Sequence, residues 1–191
     1  MSFVRPAVIA SFVLIAGCLP SLQSVYTEQD LVFEPKIIGF WKLKDSNQTW
    51  DFTKRDDNSY HLVFTDKHGQ SGRFIAHVCK VEDTLFLDLF PENEDRDSTA
   101  FYKYHILPIH TVYMVKLTKS SLELVSIHLN WVKQHLAEHP DALAHSTFNS
   151  RTLITASTKE LQQFLIKHKD RFTGVFHLEP HTEQEVQQVS P

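Results

Sequence analysis

From Ile37 onward, apolar side chains recur at every second position in short runs, and polar, turn-forming clusters break the runs apart. Ile37, Gly39, Trp41 and Leu43 alternate, then Trp50 and Phe52, then Tyr60, Leu62 and Phe64. Lys44-Asp45-Ser46-Asn47 and Lys54-Arg55-Asp56-Asp57-Asn58 separate them. His68-Gly69-Gln70 marks the next turn, Gly72 to Val81 a longer strand, and Glu82-Asp83 a turn into Thr84 to Phe90. Short strands joined by short turns define an antiparallel meander. A core drawn from 14 phenylalanines and only two methionines fits strands, whose pleated faces favour aromatic side chains.

The second half mixes periods. Pro91 to Thr99 reads as an acidic, solvated loop, and Phe101 to Leu117 as a strand interrupted at Pro108, which cannot donate to a ladder. Lys119-Ser120 turns into a strand from Leu122 to Ile127. Leu129, Val132 and Leu136 then recur at helical spacing until Pro140. After a short strand at Thr152 to Thr155, Ser157 and Glu160 form a capping-box pattern. Leu161, Phe164, Leu165 and His168 share one face of the helix that follows. Phe172 to Leu178 is the last strand, so the domain spans residues 37–178, with a polar, disordered tail over 179–191.

The N-terminus has the layout of a signal peptide over residues 1–17: Arg5, a short apolar run, then small residues. A membrane-spanning helix needs about 20 apolar residues, so this run is too short for a permanent anchor. Ile15-Ala16-Gly17-Cys18 resembles the lipobox of bacterial lipoproteins. The resemblance implies cleavage before Cys18 and a diacylglyceryl and acyl modification of its thiol, which anchors the chain stably in a membrane. It also implies, from Leu19 at the next position, sorting to the outer membrane facing the periplasm in a Gram-negative host. Residues 18–36 then read as the lipidated cysteine and its tether.

Loss of Arg5 with the leader changes the net charge from −4 to −5. An acidic chain with no basic run is a poor partner for nucleic acid. With Cys18 lipidated, only Cys79 remains, so no intrachain disulfide forms, and Cys79 reads as a small buried hydrophobe.

Gly39-Phe40-Trp41 opens the first strand of the meander and is similar to the Gly-X-Trp signature of lipocalins and related calycins. The resemblance implies a lipocalin-like antiparallel barrel with Trp41 plugging its closed end beneath a long polar side chain such as Arg171, although no arginine lies within the last strand and Arg171 only precedes it. It departs from the family where Thr111-Val112-Tyr113 keeps only the ends of Thr-Asp-Tyr, and where helices interrupt the second half. A curved open antiparallel sheet packed by helices is the alternative fold.

No nucleophile elbow or Cys-His signature points to catalysis. Asp88 stands alone in the apolar strand Leu85 to Phe90, either as a ligand group in a barrel lumen or as an edge charge that blunts aggregation. Twelve histidines raise metal binding. His135 and His139 lie four apart on a helix, although no glutamate follows His135 and a solvated face also explains them. His105 and His110 share a strand face only if Pro108 makes a bulge, while His61 and His77 read as surface positions. The expectation is a non-enzymatic envelope lipoprotein that binds a small apolar ligand, with Trp41, Asp88 and His110 as its contacts, or serves as an interaction module. It carries no cofactor beyond the lipid on Cys18. The alternative is a metal-binding protein or hydrolase that uses its histidines.

Overall fold

The computed structural model describes residues 19–92, 106–118, 120–149 and 151–181. The leader, Cys18, His105 and the chain after His181 lie outside the described residues. In chain order the strands begin with β1 (Leu19–Ser21), β2 (Gly39–Leu43), β3 (Thr49–Lys54), β4 (Tyr60–Thr65) and β5 (Ser71–Val81). They continue with β6 (Thr84–Pro91), β7 (His110–Leu117) and β8 (Leu122–Ile127). Helix α1 (Leu129–Glu138), β9 (His145–Phe148), β10 (Arg151–Ile154) and α2 (Thr158–Lys167) follow, and β11 (Phe172–Pro180) ends the domain.

Strands β2 to β8 pair antiparallel in sequence order. β11 pairs with β8 on one side and β2 on the other, which closes the ring. Among the described residues, eight of the 11 strands therefore form a closed antiparallel barrel of lipocalin-like architecture. The open-sheet alternative does not hold. Closure removes the unpaired edges that an open sheet must protect.

Period-2 alternation decides which side chains fill the barrel. Phe52, Tyr60, Leu62, Ala76, Val78, Leu87, Leu122, Leu124 and Leu178 all point inward and are fully buried. The opposite face of β5 to β8 is buried as well. Cys79, Phe86, Val112, Val125 and Ile127 pack beneath Val132 and Leu136 of α1 and Leu161, Phe164 and Leu165 of α2. A wall covered on both sides explains the nearly unbroken apolar run of β6.

The helices form as their termini dictate. Ser157 Oγ accepts from Glu160 N at 3.4 Å, while Glu160 Oε2 accepts from Ser157 N at 2.9 Å, completing the capping box of α2. At α1 the cap is an imidazole: His128 Nδ1 accepts from Trp131 N at 3.1 Å. That role is invisible in a sequence pattern built on Ser, Thr, Asp and Asn.

Three expectations change. Residues 19–36 are not a free tether but a strap folded against the barrel. β1 pairs antiparallel with β7 and parallel with β10, and Leu19 and Val25 are fully buried. Leu19, Val25, Leu31 and Ile37 are too far apart to make a local period, yet Leu19, Val25 and Ile37 are fully buried and Leu31 packs against the same cluster as Leu19 and Val25. The strand β9 leaves no signal in the sequence, because Ser146 to Phe148 are exposed and show no alternation. Finally, β11 runs two residues beyond Leu178, to Pro180 opposite Trp41.

Trp41 is 7% exposed and lies inside, near the end of the barrel where β2 begins. Its indole folds back past Gly39, which holds a φ of 142°, and donates from Nε1 to Ile37 O at 2.8 Å. The neighbouring strap covers this end: Phe33 stacks on Tyr60 at 5.1 Å, and Glu34 N donates to the Tyr60 hydroxyl at 2.6 Å. Arg171 is not its cation. The guanidinium lies 5.2 Å from the Trp131 ring instead, because Arg171 precedes β11 on the helical side of the barrel.

Candidate functional site

The barrel interior holds one unusual polar atom. Trp50 projects inward from β3, only 4% exposed, with edge-on aromatic neighbours Phe64 at 5.0 Å and Tyr113 at 6.0 Å. Its Nε1 is buried and has no hydrogen-bond partner among the described residues. A buried donor left unsatisfied costs about 1–3 kcal/mol, so such atoms are rare and call for an acceptor. Leu43, Phe64, Phe74 and Phe176, which pack against the same interior cluster, are only partly buried. Trp41, by contrast, has its own N–H occupied by Ile37 O. Sequence alternation placed Trp50 inside but held no sign that its N–H would be orphaned.

Asp88 and His110 are brought together, but outside the barrel. Asp88 is fully buried on the outer face of β6, which is paired on both sides and is no edge. Its Oδ1 lies 2.6 Å from His110 Nδ1, and its Oδ2 accepts from Val25 N at 2.9 Å. The carboxylate therefore clamps the strap to the wall. His77, opposite Asp88 on β5, is half-buried under Tyr26 rather than on the surface, with the Tyr26 hydroxyl 3.0 Å from His77 Nδ1. Burial first, then the Asp88 charge, pushes the Tyr26 hydroxyl up to about 12. Burial holds His77 below the ordinary histidine range, against the pull of Asp88.

A carboxylate holding an imidazole is the orienting half of a nucleophilic triad. The hydroxyl facing it is a poor third member. Ser21 stands opposite His110 in the β1–β7 register, but it is fully buried and its Oγ accepts from Gln23 N at 3.2 Å. Cys79 is buried too, and burial raises its thiol far above the ordinary range, which leaves it protonated.

His135 and His139 also meet, with ring centroids 5.0 Å apart, and the fold adds His168 from the end of α2 at 5.1 Å from His135. Trp131 stacks on His135 at 4.8 Å. A cleft of about 270 Å³ beside them is lined by His135, His168, Asp141, Glu160, Gln163 and Lys167, among others. Among the described residues no group of three or more His, Cys, Asp or Glu is placed to hold a metal ion. The cluster's chemistry is titration. Burial, then the neighbouring charges of His139 on His135 and of His135 on His168, hold both imidazoles below the ordinary range. A depressed histidine contributes stability that is present above about pH 6.5 and is lost as pH falls through the folded value. Acidification from pH 7 should therefore loosen the α1–α2 contact, and His168→Gln should flatten that dependence. Histidine ring resonances followed by NMR check this; midpoints at or above 6.5 for both rings contradict it.

The described structure is thus a strapped, eight-stranded antiparallel barrel with a buried unsatisfied donor inside and a carboxylate clamp outside. Comparison with protein-family models, with curated proteins and with solved structures gave no match.

Proposed function

We propose that this protein is a lipid-anchored lipoprotein of the bacterial cell envelope whose barrel binds one small apolar ligand without catalysing a reaction. The observation that carries the binding role is the buried, unpartnered Trp50 Nε1 within an aromatic interior. The anchoring role rests on Ile15-Ala16-Gly17-Cys18. Its only non-protein component is then the covalent lipid on Cys18. With Leu19 following, the protein faces the periplasm from the outer membrane of a Gram-negative host. A hydrolase is less well supported, since neither Ser21 nor Cys79 is open to a substrate.

Two measurements test this reading separately. Mass spectrometry of the mature N-terminus should find a lipidated Cys18, and Cys18→Ser should abolish both lipid and membrane retention. An unmodified N-terminus elsewhere refutes the anchor. For the barrel, isothermal titration with a long-chain alcohol should show saturable binding. Trp50→Phe keeps the apolar bulk and removes the donor, so affinity should fall about two- to tenfold, the worth of one net hydrogen bond. Binding of the matching alkane should hardly change. An interior that admits neither probe leaves a side-chain-filled barrel, and the interaction-module role then stands in place of ligand binding.

A further inference from the structure

The strap and the β9–β10 hairpin together fix which part of the fold meets the membrane. Leu19 is fully buried and already paired within β1, opposite Val112 of β7. One peptide unit separates it from Cys18, and consecutive Cα atoms are about 3.8 Å apart. No slack chain therefore stands between a lipid on Cys18 and the folded body. The neighbour of β1 on its other side is β10, parallel, with Ser21 level with Ile154. Carried back along the strands, that register sets Leu19 level with Thr152, so the chain enters β1 beside the turn end of the β9–β10 hairpin.

At that turn end Phe148 pairs with Arg151. Thr152 and Ile154 turn inward, so the alternating positions Arg151 and Phe148 face away from the core. Phe148 is 77% exposed, the most exposed of the large hydrophobic side chains among the described residues. Asn149 follows with a φ of 48°, making a tight tip. An exposed aromatic ring beside a guanidinium matches the boundary between acyl chains and anionic headgroups, where the ring enters the apolar layer and the cation stays with phosphate.

We infer that the tip of this hairpin, Phe148 with Arg151, inserts into the lipid interface next to the anchored Cys18 and orients the barrel on the membrane. The inference rests on the lipid-anchor reading proposed above. A second contact besides the acyl chains would hold one face of the barrel toward the bilayer instead of leaving it to tumble. The other exposed apolar pair, Ile106 and Leu107, precedes His110, which faces the opposite end of β1 at Ser21, so it should stay in water.

The full chain is produced with its lipid and reconstituted into phosphatidylethanolamine–phosphatidylglycerol vesicles. Phe148→Cys, Leu107→Cys and Lys67→Cys are labelled with an environment-sensitive fluorophore, while buried Cys79 stays unlabelled. The label at position 148 should shift to the blue and be quenched by nitroxide lipids, with no quenching at 107 or 67. Arg151→Glu should weaken the quenching at 148 several-fold in vesicles rich in phosphatidylglycerol. Quenching at 107 in place of 148, or an aqueous label at 148 on protein whose Cys18 is shown to be lipidated, overturns the inference. So does a label at 148 protected only when another protein is added, which makes the hairpin a protein-docking edge. A Cys18 without lipid defeats the anchor reading first, and mass spectrometry of the same sample separates the two failures.

Discussion

Asp88→Ala should release the N-terminal strap and destabilise the fold by several kcal/mol. Two donors lose their acceptor at once: the buried Val25 amide at 2.9 Å and the partly buried His110 Nδ1 at 2.6 Å. Each donor left unsatisfied costs about 1–3 kcal/mol, against a total stability of about 5–15 kcal/mol for a typical domain. Asp88→Asn keeps one acceptor oxygen and should cost less. Denaturant unfolding gives the size of the effect, and amide exchange gives its place. Val25 N–H and the neighbouring strap, where Gln162 Nε2 donates to Val25 O at 2.9 Å, should lose protection before the barrel does. A stability within about 0.5 kcal/mol of the parent, the range of an ordinary surface change, would show that the clamp does not hold the strap.

Trp41→Ala should cost about 3–5 kcal/mol, since a large side chain leaves a cavity that strands on a closed ring cannot collapse to fill. The ring is 7% exposed and its N–H satisfies Ile37 O, so truncation removes apolar contact and a hydrogen bond together. Trp41→Phe separates the two losses: it keeps most of the apolar contact and should cost mainly the bond, about 0.5–1.5 kcal/mol. Thermal melts of the two variants check this. An alanine variant melting close to the parent would mean that the strap from Phe33 to Ile37, not the indole, closes the barrel. The predicted cation over Trp41 plays no part in this cost, because Arg171 lies over Trp131.

The barrel was legible because its signal is local. In Trp50-Asp51-Phe52 or Tyr60-His61-Leu62 each inward residue is two positions from the next, and the pleat alone assigns its side. The capping box of α2 is equally local, four residues that satisfy one another. The strap was illegible for the converse reason. Leu19, Val25 and Leu31 bury themselves one at a time against strands that lie far along the chain, and no window of sequence contains both sides of those contacts.

The candidate sites divide along the same line. The sequence by itself determined that Trp50 and Phe52 share a strand face, that Asp88 faces away from Leu87 and Leu89, and that His135 and His139 share a helix face. Only the tertiary structure decided that Asp88 and His110 lie outside the barrel under Val25, that His168 joins the histidine pair, and that Trp50 Nε1 meets no acceptor. Alternation fixes a side chain's direction relative to its own strand, because the backbone geometry repeats every two residues. Which of the two faces becomes the inside depends on closure of the ring between β2 and β11 and on the helices folding back over the other face. Those contacts bring together residues more than a hundred positions apart, such as Thr158 and Ser24, and that distance is settled by packing alone.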